Sequence, residues 1–201
     1  QELQDRAERQ LEFAEGDLAK GRLHAELARV HKKYLGDTAK AEFAAKKAVE
    51  LDASNAEALM ILGDLAFESS RFVEAAKHYE SLVGRIQALP KEDGTRILVR
   101  FIEAYGKSRP RPSQASTTEL ASIRPPAADP KLIAAMEQLQ AFAPTDVASL
   151  AQAANVLFDH GDAGSVYRIY EDLFKKHDAA LRGKDRAEAL YHLGESARRS
   201  G

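Results

Sequence analysis

The sequence predicts an all-α chain of about ten helices folded as successive helical hairpins. Three observations carry that prediction. Apolar residues recur at spacings of four and three along most of the chain, as they do on one face of a helix. Short polar or glycine-containing breaks cut this pattern at intervals typical of helix, turn and helix units. Alanine dominates the apolar residues and Trp is absent, which suits helices that approach one another closely.

The elements follow in order. In residues 1–20, Ala7, Leu11 and Ala14 have the spacing of the second helix of a hairpin whose first helix is missing. In 21–55, Leu27, Ala28 and His31 mark a first helix, Leu35-Gly36-Asp37 a turn with one extra residue before it, and Ala41, Ala45 and Ala48 a second helix that ends at Leu51-Asp52-Ala53. The segment 56–90 is the clearest unit. Leu59, Leu62, Gly63 and Ala66 put two large groups and then two small ones on one face, Ser69, Ser70 and Arg71 break the helix, and Ala75, Tyr79 and Leu82 form the opposing stripe. In 95–144, Leu98, Phe101, Ile102 and Tyr105 make a first helix, and Leu132, Met136, Leu139 and Pro144 make a second helix with a closing proline. In 146–181, Leu150, Ala153, Ala154 and Leu157 precede a Gly161-Asp162 turn, and Val166, Tyr170 and Leu173 follow it. In 185–201, Leu190, Leu193, Gly194 and Ala197 make a first helix that stops at Gly201. Residues 72–105 also align with 163–197, which suggests duplication of a pair of hairpins, one with a lengthened charged connection.

The segment Arg109–Pro130 breaks the helical rhythm and holds five of the seven prolines. Proline lacks the amide donor and disfavours helix in the residue before it, so a mobile loop is expected. Leu120, Ile123 and the Ser/Thr residues could dock on a partner or accept phosphate; a tolerated insertion is the simpler reading. Arg109, Arg111 and Arg124 are too sparse for nucleic-acid binding.

The size pattern of 56–90 resembles the tetratricopeptide repeat (TPR), a helix-turn-helix unit of about 34 residues. Bulky Ile102, at a position where that family has a small residue, and the insertion after it depart from the pattern. The resemblance implies a right-handed superhelix, an α-solenoid, with first helices lining a concave groove. Projected onto this chain, the groove residues are Arg29, Lys32 and Lys33, then Met60, Asp64, Phe67 and Glu68, then Val99, Glu103 and Lys107. Ala151, Asn155, Phe158 and Asp159 follow, and then Tyr191, Glu195, Arg198 and Arg199. Such a groove would run from basic to acidic to mixed, with Met60, Phe67, Phe158 and Tyr191 as apolar anchors. The family members that clamp chaperone C-termini carry Lys and Asn where this chain has Ala25, Arg29, Met60 and Asp64, so that role is not expected. Because both termini fall inside repeats, the chain reads as a piece of a longer array. Ala189, Leu190, Leu193 and Ala197 are then left partly open, and pairing into a homodimer through the terminal half-repeats becomes possible.

Composition limits the function classes. A net charge of −2 gives no reason to expect nucleic acid as a partner. The absence of cysteine excludes disulfides, thiol nucleophiles and thiolate metal sites, and suits cytosol and periplasm alike. No apolar run approaches the ~20 residues of a membrane span, and QELQDRAERQ does not resemble a signal peptide, so insertion in a membrane is not expected and the cytoplasm is favoured. His24, His31, His78, His160, His177 and His192 are scattered without metal-ligand spacing, and His31 takes a position where repeats place a packing aromatic. Gly36-Asp37 and Gly161-Asp162 are turn residues, not a phosphate cradle, and Glu92-Asp93 is expected in an exposed charged connector. No nucleophile motif, cofactor site or metal site is found, so the chain is not expected to be an enzyme. The expectation is a noncatalytic scaffold or adaptor module binding a peptide or folded protein. The alternative is a regulatory or sensor array in a larger signalling protein. Alanine- and arginine-rich tandem repeats are similar in style to bacterial scaffolds of motility, secretion or envelope assembly.

Overall fold

A computed structural model describes residues 2–109, 129–160, 163–178 and 181–200. Among these there are ten α-helices and no strand, as the periodicity predicts. The central part of the proline-rich segment (110–128), the Gly161-Asp162 turn and Gly201 lie outside the described residues. The chain divides into two compact units, Gln1–Arg85 and Ile86–Gly201.

The first unit contains α1 (Glu2–Phe13), α2 (Asp17–Val30), α3 (Thr38–Leu51), α4 (Ala56–Glu68) and α5 (Phe72–Val83). Each helix packs on the next, and α2 also touches α4. The extra residue before the first turn has a structural counterpart. His31–Leu35 is a π-helical turn that ends at Gly36 with φ 66°, and the Asp37 amide donates to the His31 carbonyl at 3.0 Å. A π turn widens the hydrogen-bond step by one residue and so absorbs a one-residue insertion without ending the helix early. Asp37 and Asn55 then cap α3 and α4 by accepting the Lys40 and Ala58 amides, each at 3.0 Å.

Side-chain size explains the close packing of α4 and α5. A β-carbon on Gly63 would lie 2.7 Å from Cε1 of Tyr79, so the absence of a side chain is what admits the ring. Ala75, Tyr79 and Leu82 are fully buried against this face, and Ala41, Ala45 and Ala48 play the same part in α3. On the outer side, Arg71 joins the two second helices by donating to both Glu42 oxygens at 3.0 and 2.9 Å.

The second unit contains a 3-10 turn (Ile86–Ala88), α6 (Lys91–Lys107), α7 (Pro130–Phe142), α8 (Val147–Asp159), α9 (Ala163–His177) and α10 (Gly183–Ser200). Here α6 packs on α7 and α8, and α8 on α7, α9 and α10. Two expectations need correction. Glu92 and Asp93 are not in a connector: they occupy the first turn of α6, where carboxylates offset the positive end of the helix dipole. Ala189 is not on the open side of α10: it and Ser196, seven residues apart, form the inward stripe. Leu190, Gly194 and Ala197 are exposed, and a β-carbon on Gly194 would meet nothing within 4 Å.

Bulky Ile102 is accommodated by an exchange of volume. It is fully buried, and the position in register with Tyr79 is filled by Met136, so bulk moves from the second helix to the first.

Candidate partner-binding surface

The projected groove residues of the first unit pair with one another across helices. Lys32 on the π turn reaches α4, with Nζ 3.3 Å from Asp64 and 3.1 Å from Glu68. Arg29 Nε lies 3.0 Å from Glu57. The expected basic stretch and acidic stretch are therefore one interlocked face, because successive first helices bring opposite charges within contact range. Asp64 is held from a second side by the Tyr79 hydroxyl, which donates to it at 2.7 Å. Phe67 packs edge-on against Phe72 at 5.5 Å between ring centroids, which uses part of this anchor within its own hairpin. Met60 is half-buried, while Lys33 is exposed with its ammonium 5.6 Å from the Tyr34 ring.

In the second unit the first helices α6 and α8 border a cleft of about 660 Å³. Val99 does not project freely, as expected for a groove residue; at 6% exposure it lines the cleft, since α8 packs directly on α6. Thr95, Arg96 and Arg100 flank it on α6, and Ser149 and Gln152 face it from α8. Glu103 crosses between these helices by accepting from Gln152 at 2.6 Å, and it pairs with Arg100 at 3.3 Å. A smaller cleft of about 270 Å³ lies between α8 and α10 and includes Asn155 and Tyr170.

The Tyr79 arrangement recurs here. Tyr170 donates its hydroxyl to Asn155, again fifteen residues earlier. Burial is the main factor that pushes the Tyr170 phenol upward from its ordinary range. The sequence reading missed the polar partners of both tyrosines, although the same fifteen-residue spacing is visible in both hairpins.

Of the remaining projected residues, Lys107 ends α6 and the others lie on α8 and α10. Phe158 stacks on His192 at 4.3 Å and meets Tyr191 at 6.4 Å, with the Arg199 guanidinium 4.6 Å from its ring centre. Tyr191 is 63% exposed. Burial lowers the His192 pKa, and Glu188 and Asp159 oppose that shift. Glu195 accepts from Arg198 and Arg199, and these bonds hold its carboxyl down at about 2. Sequence spacing did not identify His192, which joins the two projected aromatics.

His31 is buried at 6% exposure, and its Nδ1 has no hydrogen-bond partner among the described residues. Those residues contain no group of three or more His, Cys, Asp or Glu placed to hold a metal. No described helix is long and apolar enough to cross a membrane. No known protein family matches the chain, and no curated protein matches it.

Proposed function

We propose that this chain is a noncatalytic interaction module of the tetratricopeptide class, whose hairpins stack as a right-handed superhelix and receive a protein or peptide partner along their first helices. The observation that carries this reading is the preformed cleft between α6 and α8, floored by Val99 and walled by polar side chains on two rigid helices. Such a surface binds with little ordering cost because its shape is set by helix packing. The exposed Tyr191 beside Phe158 adds an aromatic contact of the kind that anchors interfaces. A scaffold or adaptor role follows from a binding surface built on repeated, closely packed hairpins.

The test is parallel affinity capture from native lysate. One bait is the unaltered chain, the second carries Arg100→Glu and Tyr191→Ala on the first-helix side, and the third carries Phe43→Asp and Val73→Asp on exposed positions of second helices. A partner lost only by the second bait supports the reading. One lost only by the third moves the interface to the second helices and refutes it.

A further inference from the structure

We propose that the α8–α10 cleft receives an extended peptide segment, with Glu188 taking a basic side chain of that segment and the Asn155 amide one of its backbone carbonyls. This rests on the interaction-module reading and names the chemistry of its ligand. The cleft measures about 270 Å³, just below the range of sites for drug-sized ligands, which leaves room for one side chain and the backbone beside it.

Two polar groups at this cleft lack a bonding partner among the described residues. Glu188 is the one charged residue lining it and makes no hydrogen bond or ion pair with any of them. Asn155 gives its oxygen to the Tyr170 hydroxyl, and its amide N–H2 group finds no acceptor among them. Fully buried Tyr170 neighbours both groups: it donates to Asn155, and burial first and then Glu188 push its phenol up. A carboxylate without a cation and an amide without an acceptor complement a basic residue in extended backbone, whose side chain donates to the first while its carbonyl accepts from the second. Cations nearby along α10 are engaged elsewhere, Arg186 with Asp178 and Arg199 with Glu195. His192, whose pKa burial lowers against the pull of Glu188 and Asp159, is uncharged at neutral pH and does not compete. Gln152 at the rim is already held by Glu103 at 2.6 Å. Half-buried Val147 and Ala151 and exposed Ala148 offer apolar surface to the stem of the incoming side chain, whereas Leu181 and Ala189 are buried and offer little.

The test uses the full chain and three matched peptides carrying an uncharged dye, repeats of Lys-Ser-Gly, Gln-Ser-Gly and Glu-Ser-Gly, read by anisotropy and by amide shift mapping. The Lys peptide is expected to bind about threefold to fivefold tighter than the Gln peptide, the scale of a partly exposed ion pair, with the Glu peptide weakest. Glu188→Gln removes that preference and leaves Gln-peptide affinity and helicity unchanged. Glu12→Gln on α1 changes the net charge by the same amount and keeps the preference. Asn155→Asp retains an oxygen for Tyr170 but removes the N–H2 donors, so it weakens the Gln peptide. Equal affinity for the Lys and Gln peptides, a preference that survives Glu188→Gln, or one that Glu12→Gln abolishes equally, overturns the proposal. A Gln peptide bound undiminished by Asn155→Asp overturns the carbonyl contact. No shift in α8 or α10 with any peptide overturns the proposal as a whole, while the interaction-module reading stands or falls separately on the lysate capture.

Discussion

Gly63 and Gly194 hold the same repeat position, yet Gly→Ala should change stability in opposite directions at the two. At Gly63 a methyl group would sit 2.7 Å from Cε1 and 2.9 Å from Cζ of Tyr79, a ring that is itself fully buried. Overpacking of this kind costs about 1–3 kcal/mol. Moving the ring also draws its hydroxyl from the Asp64 carboxylate, a charge-assisted bond of about 1.5–3 kcal/mol if wholly lost. Better helix propensity returns about 1 kcal/mol. The balance is a loss of about 2 kcal/mol, which in a unit of this size lowers Tm by roughly 8–16 °C. At Gly194 the methyl group meets nothing within 4 Å, so only the propensity gain of about 1 kcal/mol remains. Urea and thermal unfolding followed by far-UV circular dichroism, with amide exchange in α4 and α10 to locate each effect, measure both. A second variant combines Gly63→Ala with Tyr79→Met, moving bulk from the second helix to the first as Ile102 and Met136 do, and should recover part of the loss. Equal stabilisation by the two alanines would refute the packing argument.

Three further outcomes follow from the same contacts. Lys32→Glu places a third carboxylate against Asp64 and Glu68 and should destabilise the first unit by about 1–2 kcal/mol, with the loss shrinking at high salt in urea melts. The Glu42 pKa is lowered from 4.5 to about 2 by hydrogen bonds from Arg71 and Lys46. A depressed folded-state pKa gives stability that is complete above 4.5 and is lost as pH falls toward 2, so Glu42→Gln should flatten that part of the acid-unfolding curve. Buried His31 leaves Nδ1 unpartnered, and His31→Leu should therefore raise stability by about 1 kcal/mol; a lower Tm would mean the imidazole makes a contact that the packing argument omits.

The helices were legible because their signal is local. Leu59, Leu62, Gly63 and Ala66 announce both a helix and the closeness of its neighbour, and the ring of Tyr79 sits where those small residues leave room. The extra residue before Gly36 was equally visible, but the sequence did not say that a π turn would absorb it. The site was less legible because it depends on what faces it from another helix. Val99 reads as a groove residue from α6 alone and is covered once α8 packs there. Lys32 and Asp64 read as separate charged stretches, although they lie 3.3 Å apart. The length of α6 was underestimated because Lys91–Gly94 has the composition of a linker, yet Pro90 followed by acids is also a helix start.

These placements give the two first-helix faces different energetics for binding. A ligand on the first unit has to compete with contacts that already satisfy Lys32, Asp64 and Glu68, and the Lys32 and Asp64 side chains are only 23% and 19% exposed. Each new charged contact there replaces an existing one, so exchange gives selectivity with little net affinity. In the second unit the α6–α8 cleft is open before any ligand arrives, although Val99 beneath it is only 6% exposed and adds little apolar surface. Charged peptides titrated against the first unit alone should therefore differ from one another in salt sensitivity more than in Kd, which titrations at two salt concentrations would check.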